Sequence, residues 1–516
     1  MLQTEALDIL KMGHNVYLTG AAGSGKTHVL NEFIAYLRKN GITVGVTAST
    51  GIAATHMGGM TIHSWAGIGV QDDLSEHDIE ILLAKSALKK RFAETKVLII
   101  DEVSMLHGKR LDMVDQVCRA FKDETKPFGG LQVVLSGDLF QLPPVTRGGP
   151  PDFIFQSDAW RSMNLKVCYL SEQYRQEDQR LLDVLSAIRS NSVDEGHFEH
   201  LQDRFREPAK DLVVTRLYTH NAAVDEVNDA ELANISAEEH LFTMVMTGNQ
   251  RAAATLATNC LAPENLILKV GAEVMFVANN PAEHFVNGTL GRVKEFDDDG
   301  FPVVETDGRR ITVKPHSWKL EDGDKTVAQV SQLPLRLAWA ITVHKSQGMS
   351  LDAAVIDLTK SFEPGMGYVA LSRVRDLNGL YIIGMNNTAM VVHEVVTQLD
   401  AHLRATSDKT RAELDRISQD KRGEHHKRVR MALRSDEDKL LDEYDPDLLS
   451  SLKKWRTKTS KAQSVPAYVV LPDTTLKLIA ALKPRNKKQL SQIKGLGEKK
   501  LERYGSDVLA IVAESS

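Results

Sequence analysis

The string GAAGSGKT at residues 20–27 constrains this chain more than any other feature. It has the spacing G-x-x-x-x-G-K-T, follows a short apolar run (HNVYLTG, 14–20) and opens a helical stretch reaching about Lys39. Gly20, Gly23 and Gly25 allow a tight turn in which the backbone N–H groups, those of Ala21, Ala22 and Ser24 among them, point at phosphate oxygens. The positive end of the following helix adds to this cradle. Lys26 then neutralises the β and γ phosphates of a bound nucleotide, and the Thr27 hydroxyl is placed to ligate Mg²⁺.

Such a loop predicts a parallel, doubly wound sheet, and further short apolar runs supply strands at 43–48, 96–101 and 131–138. In VLIIDEVSM (97–105), Asp101 leaves the carboxyl end of a buried strand, where ligands bind in open parallel sheets. Asp101 is expected to hold Mg²⁺ and Glu102 to act as general base for an attacking water. In GDLFQLPPV (137–145), Gln141 offers an amide donor and acceptor suited to orienting that water, although the motif alone also reads as a turn before Pro143-Pro144. The α/β pattern resumes at 212–220, 353–358 and 379–384, which predicts a second α/β domain. Between them, 271–320 is strand-like, with hairpin signals at Asn287-Gly288, Asp299-Gly300 and Asp307-Gly308 that predict a small antiparallel insert. Residues 403–447 are dense in both charges and read as an exposed helical linker.

The 516 residues suffice for several domains, and no apolar run approaches the roughly 20 residues of a membrane span. Cys118, Cys168 and Cys260 lie too far apart for a zinc site or a disulfide framework, so a cytoplasmic location is expected. Residues 448–516 carry fourteen Lys/Arg against five Asp/Glu on a chain whose net charge is −6. A basic tail on an acidic body points either to a polyanion contact or to a solvated lysine-rich surface.

TASTGIAATHMGGMTIHSWAG (47–67), DEVSM, GDLFQLPPV, EQYRQED (172–178), VHKSQGMSLD (343–352) and YVALSRVR (368–375) occur in an order that resembles the PIF-type (petite integration frequency) helicases of superfamily 1, subgroup B. VGAEVMF (270–276) and VNGTLGRV (286–293) extend the resemblance into the insert. It implies an α/β fold of two RecA-like parallel-sheet P-loop domains, at 1–165 and 166–400, with a small β-barrel insert at about 265–325. ATP would sit between the two domains. Gln3 resembles the glutamine that reads the adenine edge, Tyr174 a ring that stacks on the base, and Arg175 and Arg373 arginines reaching the γ-phosphate from the second domain. Gln347 and Gly348 would complete the cleft. Thr50, His63, Ser64, His344 and Lys345 look like the family's strand-contacting residues. Trp65 and Trp339 could stack on bases, although their apolar flanks favour core packing.

The activity implied is ATP-dependent, 5′-to-3′ translocation on single-stranded DNA with duplex unwinding, in repair, recombination or replication maintenance. Single-stranded and tailed duplex DNA are the expected partners and a monomer the expected state. A translocating ATPase that strips proteins without unwinding, or a scaffold with a dead motor, would carry many of the same motifs.

LLSSLKKWRTKTSKAQSVPAYVVLPDTTLKLIA, continuing to IKGLGEKKLERYG, resembles the HRDC domain found in RecQ helicases and RNase D, so an all-α bundle is expected at 447–516 after a charged linker at 401–446. Asp473 is expected as a helix N-cap. Gly495-Leu496-Gly497 reads as a phosphate cradle or as a tight interhelical turn. The HRDC resemblance allows either DNA or protein as the tail's partner.

Overall fold

The structure, a computed structural model, describes the chain except residues 70, 72, 147–148, 177, 209–213, 261, 279, 281–282, 284, 286–288, 307, 323–324, 435–443, 464 and 515–516. Two compact units emerge, one comprising Met1–Tyr36 with Val44–His426, the other Leu37–Thr43 with Lys427–Ser516.

The first unit begins with helix α1 (Gln3–Lys11), strand β1 (Val16–Gly20) and most of helix α2 (Lys26–Lys39), up to Tyr36. Strands β2 (Val44–Ala48), β3 (Met60–Thr61), β4 (Val97–Asp101), β5 (Gln132–Ser136) and β6 (Lys166–Leu170) complete a six-stranded sheet of order β3-β2-β4-β5-β1-β6, parallel throughout. Short helices α3 (Gly51–His56) and α4 (Ile62–Ala66) follow β2 and β3. β1, β4 and β5 are buried along their whole length, as strands covered on both faces must be. The predicted boundary at 165 is corrected, because β6 pairs with β1 from Val16↔Lys166 to Gly20↔Leu170 and belongs to the first sheet.

Helix α5 (Gln179–Arg189) leads towards a second parallel sheet of β7 (Thr215–Tyr218), β8 (Ala340–Thr342), β9 (Ala354–Leu358) and β10 (Leu380–Met385), in the order β8-β7-β9-β10. Helix α6 (Met366–Leu371) lies between β9 and β10 with every residue buried. Helix α7 (Glu394–Asp415) then returns to the first sheet. Its buried Val396, Leu403, Ser407, Thr410 and Leu414 recur at helical spacing. Ser407 Oγ accepts the Tyr169 N–H at 3.0 Å and Asp400 accepts the Tyr169 hydroxyl at 2.8 Å. The charged segment is therefore not simply an exposed linker: its first part covers the edge strand β6.

The chain between β7 and β8 forms open antiparallel sheets among the described residues, which corrects the expected barrel. Five strands lie in the order Arg309–Thr312, Pro302–Thr306, Leu290–Phe296, Glu273–Phe276, Leu335–Leu337, and the two outermost do not pair. A three-stranded sheet (His316–Asp322, Lys325–Gln332, Val245–Gly248) and a two-stranded one (Asn265–Leu268, His240–Thr243) extend the insert beyond 265–325 on both sides. Gly300 turns the Asp299-Gly300 hairpin with φ +81° and Gly308 the next one with φ +74°. Asn287-Gly288 and Asp307 lie outside the described residues.

In the second unit, helices Pro446–Ala462, Ala467–Val470, Asp473–Leu482, Lys487–Ser491 and Glu498–Glu514 enclose a core that includes Leu448, Leu452, Leu476, Ile479, Leu490 and Val508. Asp473 makes no capping bond: it is the first helical residue and pairs with Arg456 at 2.5 Å. Gly495 (φ +92°) has Thr475 Oγ1 2.2 Å from where a Cβ would stand, so packing against that helix demands the glycine. Among the described residues no helix is long and apolar enough to cross a membrane, and all three cysteines are free.

Candidate functional site

The loop after β1 takes the backbone that its glycines predict, with φ +150° at Gly20, +85° at Gly23 and +84° at Gly25. A Cβ on Gly23 would stand 2.6 Å from Arg175 Cβ, and one on Gly25 1.9 Å from Gln3 Nε2. Both glycines thus admit neighbours as well as a turn. Gln3 donates to the Ser24 carbonyl at 3.3 Å, and the Tyr174 N–H donates to the Gly23 carbonyl at 3.0 Å. The Tyr174 ring is largely exposed beside Gly25. Lys26 folds back so that Nζ donates to the carbonyls of Gly20 at 2.9 Å and Ala21 at 3.1 Å. Burial lowers its pKa.

A cavity of about 420 Å³ over this loop is walled by Gly23, Lys26, Thr27, Glu102, Gln141, Tyr174, Arg175, Gly348 and Arg373, with Ala22, Gly25, Ser350 and Arg375. Asp101 and Thr27 line an adjoining space of about 180 Å³ with Glu102, Gln347 and Gly348. Glu102 holds the left-handed conformation (φ 52°, ψ 44°), an uncommon one for a non-glycine residue that turns its side chain out of the strand line. Ser49 Oγ fixes this turn by donating to the Glu102 carbonyl at 2.6 Å. Burial pushes the Glu102 carboxyl up to about 7, and the neighbouring Asp101 charge adds to the effect. Burial also raises Asp101. Gln141 is buried and its Oε1 accepts Gln347 Nε2 at 3.2 Å, which joins the first sheet's motif to the second's.

The two arginines meet from different sides. Arg175 hangs from the segment that joins β6 to α5, and its guanidinium donates to the Ser372 carbonyl at 3.4 Å. Arg373, 1% exposed, donates to the carbonyls of Val369, Ser346 and Met349 and to Ser372 Oγ. Burial lowers Arg373 to about 9, with Arg175 adding repulsion. Among the described residues neither arginine has a carboxylate within ion-pair distance. Carbonyl and hydroxyl oxygens take up the Arg373 donors, and Glu102 only partly offsets the two positive charges, a setting suited to an anion.

Behind the cavity lies a buried network. Arg189 donates to both oxygens of Asp138 at 2.8 Å, to the Tyr368 hydroxyl at 2.9 Å and to the Tyr169 hydroxyl at 2.7 Å. Tyr368 in turn donates to Asp138 at 2.9 Å and accepts the Ala22 N–H at 3.0 Å. Burial works against the Asp138 charge, but Arg189 and Lys26 outweigh it and hold the carboxyl below its usual range.

The strand-contacting candidates divide. Thr50, His344 and Lys345 share the smaller space with Asp101 and Glu102. Ser64 instead lines a cavity of about 290 Å³ with Thr61, His316 and Trp318. His63, on α4, lines neither of these; burial lowers its pKa to about 4, helped by Arg110 and His107. Trp65 belongs to the core, with its ring edge-on to Phe92 at 4.8 Å and its Nε1 2.7 Å from where a Cβ on Gly45 would stand. Trp339 packs against the core of the insert.

Residues 4–190 match the family model of PIF1-like helicases, 253–296 that of the 2B domain of DNA helicase Pif1, and 445–512 that of the HRDC domain. The ATP-dependent DNA helicase Pif1 of Psychrobacter sp. (strain PRwf-1) is 42% identical over 495 residues, which cover 84% of this chain and 75% of that one. The chain belongs to the PIF1-like helicase family. Among solved structures of Pif1 proteins, that of Pif1 helicase from Candida albicans superposes with a TM-score of 0.68 at 35% identity, over 78% of this chain and 98% of that one. Bacteroides Pif1 bound to ssDNA gives 0.57 at 31% identity, over 79% and 97%.

Within this PIF1-like site, the sequence alone points to Gln141 and Arg373 but not to Asp138, Tyr169, Arg189 or Tyr368. Asp138 and Tyr368 stand inside two of the PIF-type motifs, GDLFQLPPV and YVALSRVR, so their position is a signal that could have found them. Arg189 and Tyr169 carry no local signature, and only the fold brings them to Asp138.

Proposed function

We propose that this chain is an ATP-dependent DNA helicase that translocates 5′ to 3′ on single-stranded DNA and unwinds duplex, serving repair, recombination or replication maintenance as a cytoplasmic monomer. The observation that carries the reading is the meeting of Arg175 and Arg373 over the phosphate loop, each without a carboxylate partner among the described residues, in one cavity with Lys26, Glu102 and Gln141.

In this reading Gln3 and Tyr174 hold the adenine, and the loop from Gly20 to Thr27 holds the phosphates. Thr27 and Asp101 would hold Mg²⁺, which neutralises phosphate charge when bound. Glu102 takes the proton of the attacking water while Gln141, tethered to Gln347, orients it. Arg175 and Arg373 stabilise the charge that develops on the transferred phosphoryl group. Because these groups come from both sheets, nucleotide favours the closed cleft, and hydrolysis removes that preference. Thr50, His63, Ser64, His344 and Lys345 contact the strand through phosphates and sugars, so movement is insensitive to sequence. The basic HRDC-like unit adds a second DNA contact.

A strand-displacement assay on 5′-tailed and 3′-tailed duplexes tests this. Unwinding of the 5′-tailed substrate alone is expected. Unwinding of only the 3′-tailed duplex would sink the polarity, and ATP-driven movement without displacement would reduce the chain to a translocase.

A further inference from the structure

Helix α7 meets the edge strand β6 at the Tyr169 hydroxyl, where every bonding position is filled. Nη2 of Arg404 and Nη2 of Arg189 each donate to this oxygen at 2.7 Å, and Asp400 stands 2.8 Å from it. A guanidinium can only donate, so both lone pairs are taken and the one proton must go to Asp400. Burial pushes the hydroxyl up to about 12, which keeps that proton in place. Arg404 closes the group. Its Nε donates to Asp400 at 2.6 Å, one turn earlier on the helix, and its guanidinium carbon lies 4.2 Å from the Tyr169 ring centroid.

The same hydroxyl decides how Arg189 is oriented. An arginine facing a carboxylate commonly sets two parallel N–H bonds from two nitrogens on its two oxygens. Here Nη1 alone serves Asp138, at 2.8 Å to each oxygen, while Nη2 turns away to Tyr169. Asp138 Oδ2 is thereby left to accept the Tyr368 hydroxyl at 2.9 Å, and the Tyr368 oxygen holds the Ala22 N–H at 3.0 Å. An unbroken line of bonds thus runs from α7 through Tyr169, Arg189 and Tyr368 to the phosphate loop. A second line leaves the same helix. Arg411 Nε donates to Glu5 of α1 at 3.1 Å, and Gln3, at the start of α1, donates to the Ser24 carbonyl at 3.3 Å.

We propose that α7 is a positioning strap for the phosphate loop, in which Asp400 and Arg404 act through Tyr169 and Arg189 to fix Tyr368 against the Ala22 N–H. Without Asp400 to take its proton, the Tyr169 hydroxyl no longer presents a fixed lone pair to Nη2. Arg189 is then free to set both nitrogens on Asp138, and Tyr368 loses the acceptor that holds it beside Ala22. None of Asp400, Arg404, Tyr169 and Arg189 lines the nucleotide cavity, so they act on turnover without touching nucleotide. The proposal rests on the reading of this loop as the ATP site and makes that site depend on a helix outside both parallel sheets.

Steady-state ATPase of the full chain provides the test. Asp400→Ala with Arg404→Ala should lower kcat about ten-fold and leave KM within about two-fold, the size of one misplaced hydrogen bond. Tyr169→Phe should do the same, whereas Lys409→Ala, on the exposed face of α7, should match the parent. Adding Tyr368→Phe to the α7 pair should lower kcat by less than about two-fold more, because both changes remove the same restraint. Should the pair prove too unstable to assay, Arg404→Ala alone, on a half-exposed side chain, should give about a three-fold loss that Tyr368→Phe again does not multiply. Parent-like kcat in the α7 variants, a loss confined to KM, or losses that multiply with Tyr368→Phe would each overturn the strap. A parent chain without ATPase would instead bring down the reading of the loop itself.

Discussion

The Tyr368 hydroxyl accepts the backbone N–H of Ala22 at 3.0 Å, which ties a helix packed with the second sheet to the phosphate loop of the first. The same oxygen donates to Asp138, itself clamped by Arg189, so four segments of chain share one buried junction.

Tyr368→Phe keeps the ring and removes only the hydroxyl. It leaves the Ala22 N–H, one Asp138 bond and one Arg189 bond unmet in a buried setting, at a cost of about 1–3 kcal/mol. Denaturant unfolding should show that loss. Steady-state ATPase should show a lower kcat with KM changed less, because the loop is mispositioned rather than removed.

Lys26→Ala removes the ammonium that the proposed function sets against the phosphates. ATPase should fall by about 10²–10³-fold or more with the fold retained, in line with deletion of one preorganised charge-stabilising group. Activity at the parent's level would refute the assignment of the site.

Arg373 reaches four acceptors through its planar fork, which a lysine cannot reproduce. Arg373→Lys should therefore behave like Arg373→Ala: turnover lower by about 10³-fold or more, with nucleotide affinity measured by equilibrium titration changed far less.

Glu102 titrates at about 7, because burial and then Asp101 favour its neutral form. A general base works deprotonated, so ATPase should rise with pH through about 7 and fade below it. The sign for stability is opposite. A carboxyl whose folded pKa lies above its unfolded value of 4.5 contributes stability that is present below about 4.5 and lost as pH rises through 7. Glu102→Gln should accordingly be nearly inactive, yet more resistant to denaturant than the parent at pH 8. Equal stability at pH 8 would contradict the burial argument.

On the helical C-terminal unit, Lys487, Lys488 and Lys499 are exposed. If this surface meets single-stranded DNA, replacing all three by Gln should flatten the dependence of log affinity on log salt. The slope should change by about 0.7 for each phosphate that a lysine no longer neutralises, about two in all. An unchanged slope would assign the unit to another partner.

What the sequence discloses depends on how locally a feature is specified. The phosphate loop is legible because its eight residues, the strand before and the helix after are contiguous, and the glycine positions follow from φ alone. Asp101 and Glu102 are legible because a buried strand must end somewhere and they mark the end. The junction of Asp138, Arg189, Tyr169 and Tyr368 is not, since its members are up to 230 residues apart. Hairpin signals forecast antiparallel strands in the insert, but a turn does not say whether the outermost strands meet, and among the described residues the five-stranded sheet stays open. Helix α7 reads as solvated because its exposed face is dense in charge, while the spaced residues on its hidden face are few and include Ser407 and Thr410.

Arg175 and Arg373 approach each other from different sheets, with Lys26 at the floor of the same cavity. Mechanically this is a spring. Glu102 in the same wall offsets part of the arginines' mutual repulsion, and in the proposed function a polyphosphate would turn the two arginines and Lys26 into a clamp. On the proposed reading, departure of the anionic occupant, rather than a moving loop, releases the cleft.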